Sequence, residues 1–203
     1  MTNTLYHDDL PDGLDLGKSV AIDTETLGLN LTRDRLCVVQ LSSGDGNAHL
    51  VQMKADQAPC PNLKALILDP SVEKLFHFGR FDIAQLMKLA GDMAGPVFCT
   101  KIASKLVRTY TDRHGLAELC REMIGIELSK QQQSSDWGKD EPTQQQIDYA
   151  ASDVLYLHQL KAELIKRLER EGRVEHAKAC FTYLPYRAKL DLTGFDDVDI
   201  FHH

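Results

Sequence analysis

Residues 19–30 read "SVAIDTETLGLN", and the fold turns on how that run is taken. Val20 and Ile22 alternate with Ser19, Ala21 and Asp23, the period of a strand, which then ends near Thr24 or Glu25. Alternate strand residues point to one side, so Asp23 and Glu25 converge if the strand continues through Glu25. Two converging anionic oxygen donors suit Mg²⁺ or Mn²⁺, which favour carboxylate and water ligands. Taken alone, the same Asp-x-Glu also reads as a polar exit from a strand into a loop.

The elements downstream fix its setting. "LCVVQLSS" (36–43) is a second strand and "NAHLVQM" (47–53) a third, joined by the turn "SGDGN" in the manner of a β-meander. "CPNLKALILDP" (60–70) is a short helix stopped by Pro70. "VEKLFHF" (72–78) is a fourth strand, "GRFDIAQLMKLAG" (79–91) a helix closed by Gly91, and "PVFCT" (96–100) a fifth strand. From Lys101 the chain turns helical through "KIASKLV", "GLAELCREMIG" and one long helix from Pro142 to about Glu171. Thr143 and Gln146 form a capping box at its start. The order predicts an α/β architecture, a mixed five-stranded sheet flanked by helices. Only about thirty residues follow the long helix, so one domain over 1–203 is expected.

Composition narrows the chemistry. The chain has 203 residues, 43% hydrophobic and 26% charged, ordinary for a globular protein. No apolar run reaches bilayer length, and "MTNTLYHDDLPDG" lacks the charged and apolar regions of a secretory signal. Five scattered cysteines without a C-x-x-C argue against a zinc site or disulfide framework, so a reducing cytoplasm is the expected setting. Formal net charge is −7. Such a chain is a poor general polyanion binder, so a nucleic-acid ligand would be short and held by metal ions and a few local cations.

The long helix carries the second half of the pattern. Ala150, Val154, Leu157, Leu164 and Leu168 centre its apolar face at 3.6 residues per turn, with Asp148, Ser152, Gln159, Glu163 and Lys166 opposite. Asp153 falls on the apolar side, with Tyr149 at its edge four residues before. A carboxylate turned toward a core needs a cation or strong hydrogen bonds. Asp82, in the first turn of the helix after the fourth strand, is favoured there by the helix dipole whether or not it has another role.

Taken in order, Asp23, Glu25, Asp82 and Tyr149-x-x-x-Asp153 resemble the DEDD 3′–5′ exonucleases of the tyrosine subtype, on a ribonuclease-H-like fold. "SSDWGKDEPTQQQIDYAASDVLYL" (134–157) is similar to the third motif of ribonuclease D, and the resemblance covers about residues 16–170. It implies two divalent metal ions, Mg²⁺ or Mn²⁺, with Asp23 bridging them, Glu25 and Asp153 completing one and Asp82 reaching the other through water. Tyr149 would orient the attacking water, and 5′-mononucleotides would leave from the 3′ end. One departure is the run His77-Phe78-Gly79-Arg80, where many relatives carry an Asn.

At this size the chain resembles the short nanoRNase C group. That implies dinucleotide RNA as substrate and a homo-oligomer, a ring in that group; 3′-end trimming of longer RNA or DNA is the alternative, and an inactive nucleic-acid-binding module the non-enzymatic one. Leu29 is expected either to wedge between the substrate's bases or to close the first loop from the core. His77 and Thr24 are further candidate substrate contacts. Lys101, Lys105, Arg108 and Arg113 read first as a solvated face and second as a contact for a 5′ phosphate. For Trp137, packing competes with base stacking.

Overall fold

The computed structural model describes residues 2–55, 58–129 and 135–202. Ser134, which opens the ribonuclease-D-like run, lies outside them. The sheet has six strands: β1 (Asn3–His7), β2 (Ser19–Thr26), β3 (Leu36–Ser42), β4 (Ala48–Gln52), β5 (Glu73–Phe76) and β6 (Val97–Cys99), in the order β1-β4-β3-β2-β5-β6. β2, β3 and β4 form the expected antiparallel meander, while β5 and β6 continue beyond β2 in parallel. β1 is the addition to the five expected strands, running parallel to β4 at the far edge. Its first four residues are half-buried and His7 is exposed, without alternation, so the period-2 signature of a strand is missing.

Helices α1 (Pro61–Leu68), α2 (Arg80–Ala90), α3 (Thr100–Val107) and α4 (Leu116–Leu119), continued by a wider turn over Cys120–Ile124, follow the sequence reading closely. Gly91 closes α2 in the left-handed conformation, with φ 84°. Thr143 and Gln146 form the expected capping box. The long helix, however, is two: α5 (Gln144–Leu155) and α6 (Leu157–Arg170) meet at Tyr156, whose φ is −107°. No proline or glycine sits at the bend. The Ser152 hydroxyl donates to the Tyr149 carbonyl at 2.7 Å, a side-chain bond of the kind that bends helices. The bend lets α5 cover β2, β3 and β4 while α6 turns to β5 and α3.

A further helix, α7 (Val174–Leu190), packs on α2 and β6 despite the internal Pro185. At the centre of the sheet both faces are covered, and β3 is buried at every position. The buried residues form one contiguous core running from Val20 and Ile22 through Leu75 and Ile83 to Leu164 and Ala188. Cys37, Cys60, Cys99, Cys120 and Cys180 are all free thiols. No helix among the described residues is long and apolar enough to cross a membrane.

Candidate active site

β2 delivers the first two acids as alternation requires, because the strand runs on through Thr26. The bend of its ladder with β3 comes only at Glu25 and Thr26, just past Asp23. α5 then lays Asp153 across the strand end. Ligand oxygens of Asp23, Glu25 and Asp153 all lie within 4.8 Å of one another. Asp82 stands apart from that trio, in the first turn of α2, and its Oδ1 accepts a 2.5 Å hydrogen bond from the Thr24 hydroxyl. Thr24 thus faces the site with its hydroxyl engaged in holding Asp82. It lines the cleft, but the bond it makes is to a neighbouring acid.

The electrostatics of this cluster are adverse without a cation. At an effective dielectric constant near 20, two full charges 4.8 Å apart repel by roughly 3.5 kcal/mol. Burial, then Asp153 and Asp82, pushes the Glu25 carboxyl up to about 9. Burial and the neighbouring acids raise Asp23 well above the carboxylate range as well. Asp82 and Asp153 also move up, chiefly through burial, opposed by hydrogen bonds from Thr24 and Tyr149 respectively. The phenol of Tyr149 bonds to Asp153, and burial followed by the surrounding acids drives it far above its ordinary range, so it stays protonated. Four oxygen donors that repel one another and have shed their hydration fit a hard divalent ion.

The acids open into a cleft of about 620 Å³ lined by all five expected catalytic residues. Leu29 lines it too and is 86% exposed, which removes it from the core. The loop that presents it is pinned by Asp34, which accepts from the Asn30 amide and from Arg33. Gly28 allows that closure, because a Cβ there would meet Asp34 Oδ2 at 2.4 Å. Across the cleft, Gly79 permits the chain to turn against Phe76 Cβ, 2.4 Å from where its own Cβ would stand. Phe78 just before it adopts φ 64°, a strained conformation for an aromatic residue, and is 52% exposed on the cleft wall. The Lys101 ammonium lies 3.6 Å from the Phe78 ring centroid.

His77 lines the same wall. The Thr100 hydroxyl donates to the Phe76 carbonyl at 3.2 Å, and His77 Nδ1 is 2.9 Å from that hydroxyl oxygen. The two contacts are both hydrogen bonds only in the tautomer whose Nδ1 carries the hydrogen, which leaves Nε2 as an acceptor. Burial, and then Lys101, pushes the imidazole down to about 3, so it works neutral.

The basic run from Lys101 divides. Lys101 reaches the cleft, but Arg108 is buried and pairs with Glu122, and it also donates to the Arg113 carbonyl at 2.6 Å. It is therefore neither a solvated face nor a substrate cation. Trp137 is buried with its ring 6.2 Å from that of Tyr149 and does not line the cleft. Phe78 and Phe81 are among the cleft residues that sequence alone did not single out, as are Leu116 and Leu128; for the two aromatics "HFGRFD" held the signal, rings on either side of Gly79-Arg80 just before the acid.

Fold and acids together define a 3′–5′ exonuclease domain of the ribonuclease-H-like class. The chain belongs to the 3′–5′ exonuclease family, whose sequence model it matches over residues 9–169. It is similar to ribonuclease D of Granulibacter bethesdensis, 36% identical over 155 residues, which are 76% of this chain and 39% of that protein. It thus spans well under half the length of that relative. In structure it is similar over 100% of both chains to Brucella melitensis NrnC with bound Mg²⁺, with a TM-score of 0.95 and 56% identity. It is equally similar to NrnC bound to pGG, with a TM-score of 0.96 and 57% identity over 100% of this chain and 99% of that one.

Proposed function

We propose that the chain is a metal-dependent 3′–5′ exoribonuclease that hydrolyses very short RNA, dinucleotides above all, to 5′-mononucleotides. The observation that carries this reading is the convergence of Asp23, Glu25, Asp153 and Asp82 beneath a cleft that also holds Tyr149. Asp23, Glu25 and Asp153 would hold one Mg²⁺ or Mn²⁺ ion, and Asp82, with Asp23, a second. Bound there, the ions would neutralise the phosphodiester and lower the pKa of the attacking water.

The chain's own groups do the rest. Tyr149, protonated and tied to Asp153, orients the attacking water by hydrogen bonding and does not act as a strong base. Thr24 fixes Asp82. Leu29, exposed at the mouth, wedges between two bases, and the Phe78 ring offers a stacking face. Lys101 meets phosphate, and His77 Nε2 accepts from a sugar hydroxyl or base amino group. The likeness to NrnC bound to pGG supports a two-nucleotide ligand. From the resemblance of its motifs and size to the short nanoRNase C group, the chain is further proposed to act as one exonuclease domain within a homo-oligomer. A second reading, trimming of longer RNA or DNA 3′ ends, draws on the ribonuclease D relatives.

Hydrolysis of a 5′-labelled diribonucleotide with Mn²⁺ tests the chemistry. Asp23→Ala and Asp153→Asn are each expected to lose at least about 10²-fold in rate while remaining folded. Tyr149→Phe is expected to lose about 10²-fold while still binding Mn²⁺. Full activity in EDTA, or in folded Asp23→Ala, would contradict the reading.

A further inference from the structure

We infer that Gln40 is a positioning residue for Asp23, its side-chain amide donating to that carboxylate when the carboxylate holds a divalent cation. The inference rests on the metal-site reading above and deepens it. Gln40 lies in the middle of β3 with no exposed surface. Neither its Nε2 nor its Oε1 has a hydrogen-bond partner among the described residues. The ladder sets Gln40 directly opposite Asp23 on β2 and opposite Leu50 on β4. Cross-strand partners share a face of the sheet, with Cβ atoms about 4.5–5.5 Å apart. Leu50 offers only methyl groups, so Asp23 is the polar side chain across the ladder. Helix α5, which carries Tyr149 and Asp153, packs over these same two strands.

A fully buried amide without partners is a net cost to the fold, and an apolar residue of similar volume in its place is neutral or better. The position therefore makes physical sense through a state in which the amide is satisfied. Asp23 supplies that state. A cation favours the carboxylate, a stronger acceptor for an N–H donor. Groups that hydrogen-bond a metal ligand from behind fix its orientation and its basicity. Val38, the ladder partner of Glu25, has no polar group for this task.

The test uses Mn²⁺ itself as probe on the EDTA-stripped full chain, comparing wild type, Gln40→Met and Gln40→Leu. Bound ion is counted by electron paramagnetic resonance, and melting temperature is recorded without metal. The expected result is a split: both variants melt at or above the wild-type temperature without metal, yet bind Mn²⁺ on the order of tenfold more weakly. A purely structural glutamine gives the opposite pattern, a lower metal-free melting temperature with unchanged Mn²⁺ affinity. That pattern, or failure of both variants to fold, overturns the inference. Wild-type binding matched by both variants overturns the inference alone. A wild-type chain that binds no Mn²⁺ overturns the metal-site reading and this inference with it.

Discussion

At Glu25, burial comes first and the charges of Asp153 and Asp82 second in pushing the carboxyl up to about 9. An unfolded glutamate titrates near ~4.3. The folded, metal-free chain therefore binds more protons than the unfolded one between those values. A raised carboxyl contributes stability that is fully present below the unfolded pKa and is lost as pH rises through the folded one. The other three acids shift in the same direction. The EDTA-treated protein is thus expected to melt at a lower temperature at pH 9 than at pH 6. Saturating Mg²⁺ should flatten the difference, since it binds the ionised form. A metal-free melting temperature that rises across that range would contradict this account of the cluster. The acids themselves were legible in the sequence: Asp23 and Glu25 by strand alternation, Asp153 by its place on an apolar helix face. Gln40 and Phe78 were not. Their significance comes from the partner strand of one and the strained backbone of the other, and neither has a local period.

Among the elements, α7 matters more than its position after the family-matched residues suggests. Asp191, at its C-terminal end, is buried and pairs with Arg80 of α2 at 2.6 Å and with Arg187 of α7 at 2.5 Å. Arg80 also donates to the Asp196 carbonyl and Arg187 to those of Phe195 and Val198. The segment after α7 is thereby fastened to the helix whose first turn holds Asp82. Asp191→Ala leaves the Arg80 and Arg187 guanidinium groups without their shared carboxylate and, with Arg80 partly exposed to water, should lower stability by about 2 kcal/mol. Urea unfolding at neutral pH measures it, and a loss under about 1 kcal/mol would show the cluster to be surface-like. The sequence reading assigned no element after Glu171, although the buried residues of α7, Ala177, Phe181, Leu184 and Ala188, recur at helical spacing; Pro185 within the run is the signal against a helix there. Nor did it reveal the bend at Tyr156, since an apolar stripe continues through Leu157, Leu160 and Leu164 whether the helix is straight or broken. By contrast, the meander and the capping box came through because turn chemistry and caps are local.

For the whole molecule, the proposed function asks an acidic chain to engage an anionic substrate, and the cleft would resolve that conflict locally. Cations held at its acids, with Lys101 on its wall, would provide the positive charge that a net charge of −7 lacks. Such an arrangement favours a ligand with few phosphates over a long duplex. Light scattering at micromolar concentration should return a multiple of 22.8 kDa, in keeping with the proposed homo-oligomer; a mass near the single-chain value would remove the ring from the account. The most direct test of the central claim is a time course on 5′-labelled RNAs of two, three, five and twenty nucleotides, with Mn²⁺ and with EDTA. The account predicts that the dinucleotide disappears far faster than the others and that all cleavage stops in EDTA. A twenty-mer shortened in a ladder at the dinucleotide's rate would contradict the substrate assignment, and cleavage that persists in EDTA would contradict the metal site.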